Sequence, residues 1–81
     1  MTPAEREREE FRRYTLSRCD DCWHTSYEIA GTATGSHYTR TLGALRHLRS
    51  KGYVDYRFDK SLGAGEWALT EAGMKQEVFS A

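Results

Sequence analysis

The chain has 81 residues, 38% of them hydrophobic and 30% charged. That is enough for one small domain, residues 1–81, with a thin core and no deep substrate cavity. The net charge is zero, which excludes an indiscriminate polycation, and no apolar run reaches the roughly 20 residues of a membrane helix. The charge is nevertheless uneven. Six cations against Asp55 and Asp59 leave +4 on residues 36–60, so the rest of the chain carries −4. The N-terminal run Glu5-Arg6-Glu7-Arg8-Glu9-Glu10 is too charged for a secretory signal. A cytoplasmic protein is expected, with Cys19 and Cys22 reduced.

Thr2 to about Arg18 reads as a helix (1–18 as a unit), with Pro3 suited to the first turn. Its apolar stripe is sparse, and Phe11 and Tyr14 are the expected docking residues. A loop follows to His24. Thr25-Ser26-Tyr27-Glu28 has the form of a capping box and predicts a short helix burying Tyr27, Ile29, Ala30 and Ala33, broken at Thr34-Gly35. A longer helix is predicted from Ser36 to about Lys51. Tyr38, Leu42, Leu45 and Leu48 mark its inner face, and Gly52 ends it. Tyr53 to Asp59 reads as a strand, Lys60 to Gly65 as a hairpin loop and Glu66 to Leu69 as the return strand. Thr70 caps a last helix running toward Phe79. The order predicts an α+β, mainly α, winged helix-turn-helix: a three-helix core, a two-stranded wing and flanking terminal helices.

Ser26-Tyr27-Glu28-Ile29-Ala30, the stretch Leu45 to Val54, and Trp67-Ala68-Leu69-Thr70-Glu71-Ala72-Gly73 resemble winged-helix transcription regulators of the MarR and PadR kind, over residues 25–75. The most specific parts are L-x-x-L-x-x-x-G-[LY]-V and L-T-E-A-G. The size also suits a phage or mobile-element regulator. The 81 residues hold no long flanking helices of the MarR type, and the Ala30 to Gly35 spacing is one residue longer than the commonest helix-turn-helix pattern. The resemblance implies a non-enzymatic regulator, such as a repressor, that binds double-stranded DNA.

In that reading Ser36, His37, Thr39, Arg40 and Gly43 face a major groove, where arginine can bond bidentately to guanine, and Gly43 admits a close backbone. Arg40 is the cation expected to project furthest. Arg46 and Lys51 contact phosphates, and Arg57, Lys60 and the hairpin loop reach the backbone or minor groove. The plain alternative is a solvated helix face and a polar hairpin tip. A homodimer through Phe11, Tyr14, Val78 and Phe79 would double the site. The rival function is a protein–protein docking module, since winged helices serve both ends.

Cys19-x-x-Cys22-x-His24 has metal-ligand spacing, but a structural zinc needs a fourth ligand that the chain does not plainly offer, so no cofactor is expected. No catalytic motif stands out. Gly35-Ser36-His37 lacks the second glycine of a nucleophile elbow, and no Lys-Ser/Thr pair follows Gly63-Ala64-Gly65.

Overall fold

The computed structural model describes residues 2–76. They form four helices and a three-stranded antiparallel sheet: α1 (Pro3–Ser17), β1 (His24–Thr25), α2 (Ser26–Ala30), α3 (Gly35–Ser50), β2 (Val54–Asp59), β3 (Ala64–Leu69) and α4 (Glu71–Met74). The chain is thus α+β with a helical majority among its ordered elements. No helix of the described residues is long and apolar enough to cross a membrane.

Helix α1 begins where Thr2 accepts a hydrogen bond from the Glu5 amide at 3.2 Å, with Pro3 in the first turn. Its C-terminal end makes the anchor, through the buried Thr15 and Leu16. Thr15 can be buried because its hydroxyl donates to the Phe11 carbonyl at 2.8 Å. Tyr14, an expected anchor, is 49% exposed, while Phe11 is half-buried. Leu16, which was not among the expected docking residues, lies five residues after Phe11 and two after Tyr14.

Strand β1 is an addition to the expected two-stranded sheet. His24 pairs with Trp67 and Thr25 with Glu66, so β3 lies between β1 and β2. Two residues carry no periodicity from which a strand can be read. Thr25 also caps α2. Its hydroxyl accepts from the Glu28 amide at 3.2 Å, and Glu28 accepts from the Thr25 amide at 3.1 Å, completing the capping box. Helix α2 ends earlier than expected, at Gly31, which takes φ of +79° and donates to the Tyr27 carbonyl. Ile29 and Ala30 are buried as expected, whereas Tyr27 and Ala33 are exposed.

On α3 the inner face is Thr41, Ala44, Leu45 and Leu48, with Tyr38 and Leu42 half-buried at one flank. The helix is therefore turned toward α1 relative to the expected stripe. It closes in a Schellman motif: the amide of Gly52 donates to Arg49 at 2.9 Å, and that of Tyr53 to Leu48 at 3.0 Å. Leu16, Cys19, Ile29, Leu45, Leu48, Val54 and Trp67 make one core, with Tyr53 and Leu69 against it.

Strands β2 and β3 pair from Val54↔Leu69 to Asp59↔Ala64, so β3 starts two residues earlier than expected and the connecting turn shrinks to residues 60–63. Asp59 orders that turn by accepting from the Ser61 amide and hydroxyl at 2.9 and 2.6 Å. The L-T-E-A-G stretch acquires a physical meaning here. Thr70 caps α4 by accepting from the Gly73 amide at 3.0 Å and donates to the Gly52 carbonyl at 2.6 Å. Gly73 packs so closely that an added Cβ would lie 2.0 Å from the Tyr53 carbonyl oxygen. Helix α4 is capped at Lys75, and its expected continuation to Phe79 lies outside the described residues.

Gly73→Ala must push α4 away from the residue 52–53 backbone. The expected cost is about 1–3 kcal/mol, as for other overpacked sites, read from urea unfolding. A stability within error of wild type would refute the close-packing account.

Candidate nucleic-acid interface

The inner face of α3 decides where its other side chains go. With Thr41, Ala44, Leu45 and Leu48 turned inward, Ser36, Thr39, Gly43 and Arg46 point outward, all exposed. Arg46 has no acidic partner within ion-pair distance among the described residues. Gly43 lies in mid-helix with open space where a Cβ would be, and its φ is not in the left-handed range. Nothing among the described residues requires glycine there, although glycine costs a helix interior roughly 0.5–1 kcal/mol relative to alanine.

Two expected groove residues are drawn aside. The Arg40 guanidinium lies 4.3 Å above the Phe11 ring, and the His37 ring meets the edge of Phe11 at 5.8 Å. Both belong to the contact between α1 and α3. Arg40 is therefore exposed but occupied, whereas Arg46 is exposed with no ring stacked against its guanidinium and no carboxylate within ion-pair distance among the described residues. His47, on the same flank, is half-buried; burial and the charges of Arg12 and Lys51 hold its pKa below the ordinary value. Lys51 stands exposed at the end of α3.

Of the hairpin cations, Lys60 is exposed in the turn. Arg57 is engaged: its Nε donates to Glu66 at 3.0 Å, and its guanidinium lies 4.5 Å over the Trp23 ring. Glu66 is only 6% exposed, so Arg57 answers a carboxylate that would otherwise be buried alone. By strand alternation this pair occupies one face of the hairpin, and Tyr56 and Phe58 occupy the other.

That second face was not among the expected site residues. Between it and α3 runs an open groove of about 340 Å³ lined by Tyr38, Leu42, Arg46, Arg49 and Tyr56, with Trp67 behind. Arg49 lies 5.3 Å over the Tyr56 ring. A signal for Arg49 existed, since it follows Leu42 by seven residues and falls on the same flank of the helix. Phe58 carried none, because a strand residue's exposure depends on what the sheet packs against.

The cysteine motif does not converge. Cys19 lies in the core, donating to the Thr15 carbonyl at 3.4 Å, and burial, then the charge of Asp20, pushes its pKa up to about 12. Cys22 is exposed beside Asp20 and Asp21, whose charges raise its pKa. His24 sits between Asp20 at 2.9 Å and Glu28 at 3.4 Å. Partial burial works against its protonation, but hydrogen bonds to Glu28 and Asp20 outweigh it and raise the pKa. Among the described residues, the potential metal ligands that do cluster are Asp20, Asp21 and Cys22, all exposed, not the Cys19, Cys22 and His24 of the motif.

No family model matches the chain, and no curated protein or solved structure does.

The two thiols should differ in reactivity. In the native protein iodoacetamide should modify Cys22 and spare Cys19, and denaturation should release the second thiol. Equal labelling of both in the folded state would contradict the burial of Cys19.

The acidic pair around His24 predicts a pH dependence. His24 has a raised folded pKa, so its stabilisation is complete below its ordinary value of 6.5 and is lost as pH rises through the raised value. Hydrogen bonds from the Thr25 backbone and hydroxyl, and from His24, lower the pKa of Glu28. Its contribution is present above 4.5 and lost as pH falls through the lowered value. The cluster stabilises most between about pH 4.5 and 6.5. Thermal unfolding of His24→Gln should show a flatter decline in Tm from this window to alkaline pH than wild type; parallel profiles would dismiss the effect.

Proposed function

We propose that this chain is a winged helix-turn-helix domain that binds duplex DNA sequence-specifically as a transcription regulator, by binding and not by catalysis. In this reading α3 enters the major groove, and the hairpin turn with Lys60 meets the adjoining backbone or minor groove. The observation that carries it is Gly43. A mid-helix glycine that no contact among the described residues explains lies on the outward face between Thr39 and Arg46, where a partner's backbone could come close. Arg46, which has no acidic partner within ion-pair distance among the described residues, supplies the cation for a base edge or phosphate, and the excess of four positive charges on residues 36–60 supports a polyanionic partner.

The geometry moves the sequence-based emphasis from Arg40 to Arg46. Arg57 becomes a structural residue in this account. A homodimer on a palindromic site remains part of the proposal. Of its expected interface, Phe11 is committed to the α1–α3 contact, Tyr14 is exposed, and Val78 and Phe79 lie outside the described residues. A docking module is the second reading. It draws on Phe58 and Leu62, which are 59% and 60% exposed on the hairpin.

Selection from random duplexes, followed by titration of variants at two salt concentrations, tests the proposal. Arg46→Ala should weaken the selected site by about 1–3 kcal/mol and relax one base position. Gly43→Ala should raise stability by about 0.5–1 kcal/mol while weakening DNA binding. Lys60→Ala should weaken all sequences alike and reduce the salt slope by about 1. Arg40→Ala should act mainly on stability, by about 0.5–1 kcal/mol, through its lost place over Phe11. If wild type binds no duplex at low salt, the DNA reading falls and docking becomes the better account.

A further inference from the structure

The groove between α3 and the hairpin lies between the two parts assigned to the duplex, the outward face of the helix and the Lys60 turn, and of its lining only Arg46 has a part in that contact. Its two cations, Arg46 and Arg49, have no carboxylate within ion-pair distance among the described residues, and no acidic side chain lines it. Its walls are aromatic rather than aliphatic. Tyr38 stands on one side, its ring 6.2 Å from that of Tyr27 with only 21° between the planes. Tyr56 stands on the other, across bare Gly65 and against Trp67 at 4.6 Å. Phe58 extends the aromatic wall one strand repeat further on the same face and is largely exposed. Among the described residues, Leu42 is the single aliphatic side chain in the groove.

Cations for phosphates beside ring faces for bases are the two components of a single-strand binding surface. A helical peptide would instead find almost no aliphatic hole for its side chains. An intact duplex keeps its base faces stacked inside and offers these rings only its edges.

From this juxtaposition we infer that the groove binds unpaired nucleotides, with Arg46 and Arg49 on successive phosphates and a base stacked on the exposed ring of Phe58 at the groove's end, while Tyr56, covered by Arg49 and packed on Trp67, forms its wall. This is a second activity, and it does not depend on duplex recognition by the outward face. Arg46 borders both surfaces, so a single strand and a duplex should compete.

The experiment titrates the full chain with a short fluorescent oligothymidylate, which cannot form a duplex, at two salt concentrations. Quenching of tryptophan emission gives a second readout. Wild type should bind, more tightly at low salt. Phe58→Ala, at an exposed position that leaves the fold intact, should weaken binding about tenfold, equivalent to about 1.4 kcal/mol, within the range of one base–aromatic stack. Its affinity for a selected duplex should not change. Arg49→Ala should weaken the oligothymidylate and reduce its salt slope. Absence of binding at low salt, or binding that ignores both Phe58→Ala and Arg49→Ala, would overturn the inference. Neither result would touch the duplex reading, which fails separately if no duplex is bound. If Phe58→Ala weakens duplex and single strand equally, the groove is no separate site and the inference fails.

Discussion

The rotational setting of α3 governs what this small domain presents to its surroundings. Leu45 has no accessible surface, and Thr41, Ala44 and Leu48 surround it on the same face. Helices α1 and α2 and the sheet all close on that face. Truncating such a residue costs about 2–5 kcal/mol in typical cores, a large share of the stability of a domain this size. The helix cannot turn without giving up that burial. Its remaining side chains are consequently directed in four ways: Arg40 and His37 to α1, Tyr38 to Ser26 and Tyr27 of α2, Arg49 to the hairpin, and Ser36, Thr39, Gly43 and Arg46 to solvent.

Around this helix the short elements hold through their ends. Helices α2 and α4, of five and four residues, are far below the length at which a helix persists alone. Thr25 and Thr70 supply the N-terminal hydrogen bonds that such elements lack. Each also ties its helix into a neighbour, Thr25 through the β1–β3 pairing and Thr70 through the end of α3. Among the described residues no buried side-chain polar atom is left without a hydrogen-bond partner. Arg57 and Glu66 are one instance of this economy, and it removes from the surface a cation that counts toward the basic stretch in the sequence.

The cations therefore divide by commitment, not by position in the chain. Arg40 and Arg57 stack on Phe11 and Trp23, and Arg49 leans over Tyr56. Arg46, Lys51 and Lys60 are exposed without an acidic partner among the described residues. Arg40 and Arg57 shape the domain, the second group is open to a polyanion at once, and Arg49 stands between the two, over Tyr56 but with no carboxylate within ion-pair distance among the described residues. The functional proposals rest on this division and on two features that no contact among the described residues explains: an unforced glycine at position 43 and the exposed ring of Phe58 on the hairpin.

By itself the sequence determined the features set by neighbouring residues. The capping box at Thr25, the Gly52 helix end, the Leu45 and Leu48 face, the β-hairpin and the Thr70 cap are local, so turn chemistry and periodicity suffice to read them. The third strand, the burial of Cys19 away from Cys22 and His24, and the rotation that sends Arg40 to Phe11 were decided by tertiary structure. Each depends on groups distant in the chain. Trp67 provides the partner for His24, Leu16 and Trp67 share the core that encloses Cys19, and α1 supplies the ring beneath Arg40. A helical wheel measures angles between residues of one helix, but only packing against the other elements sets where that wheel has its zero.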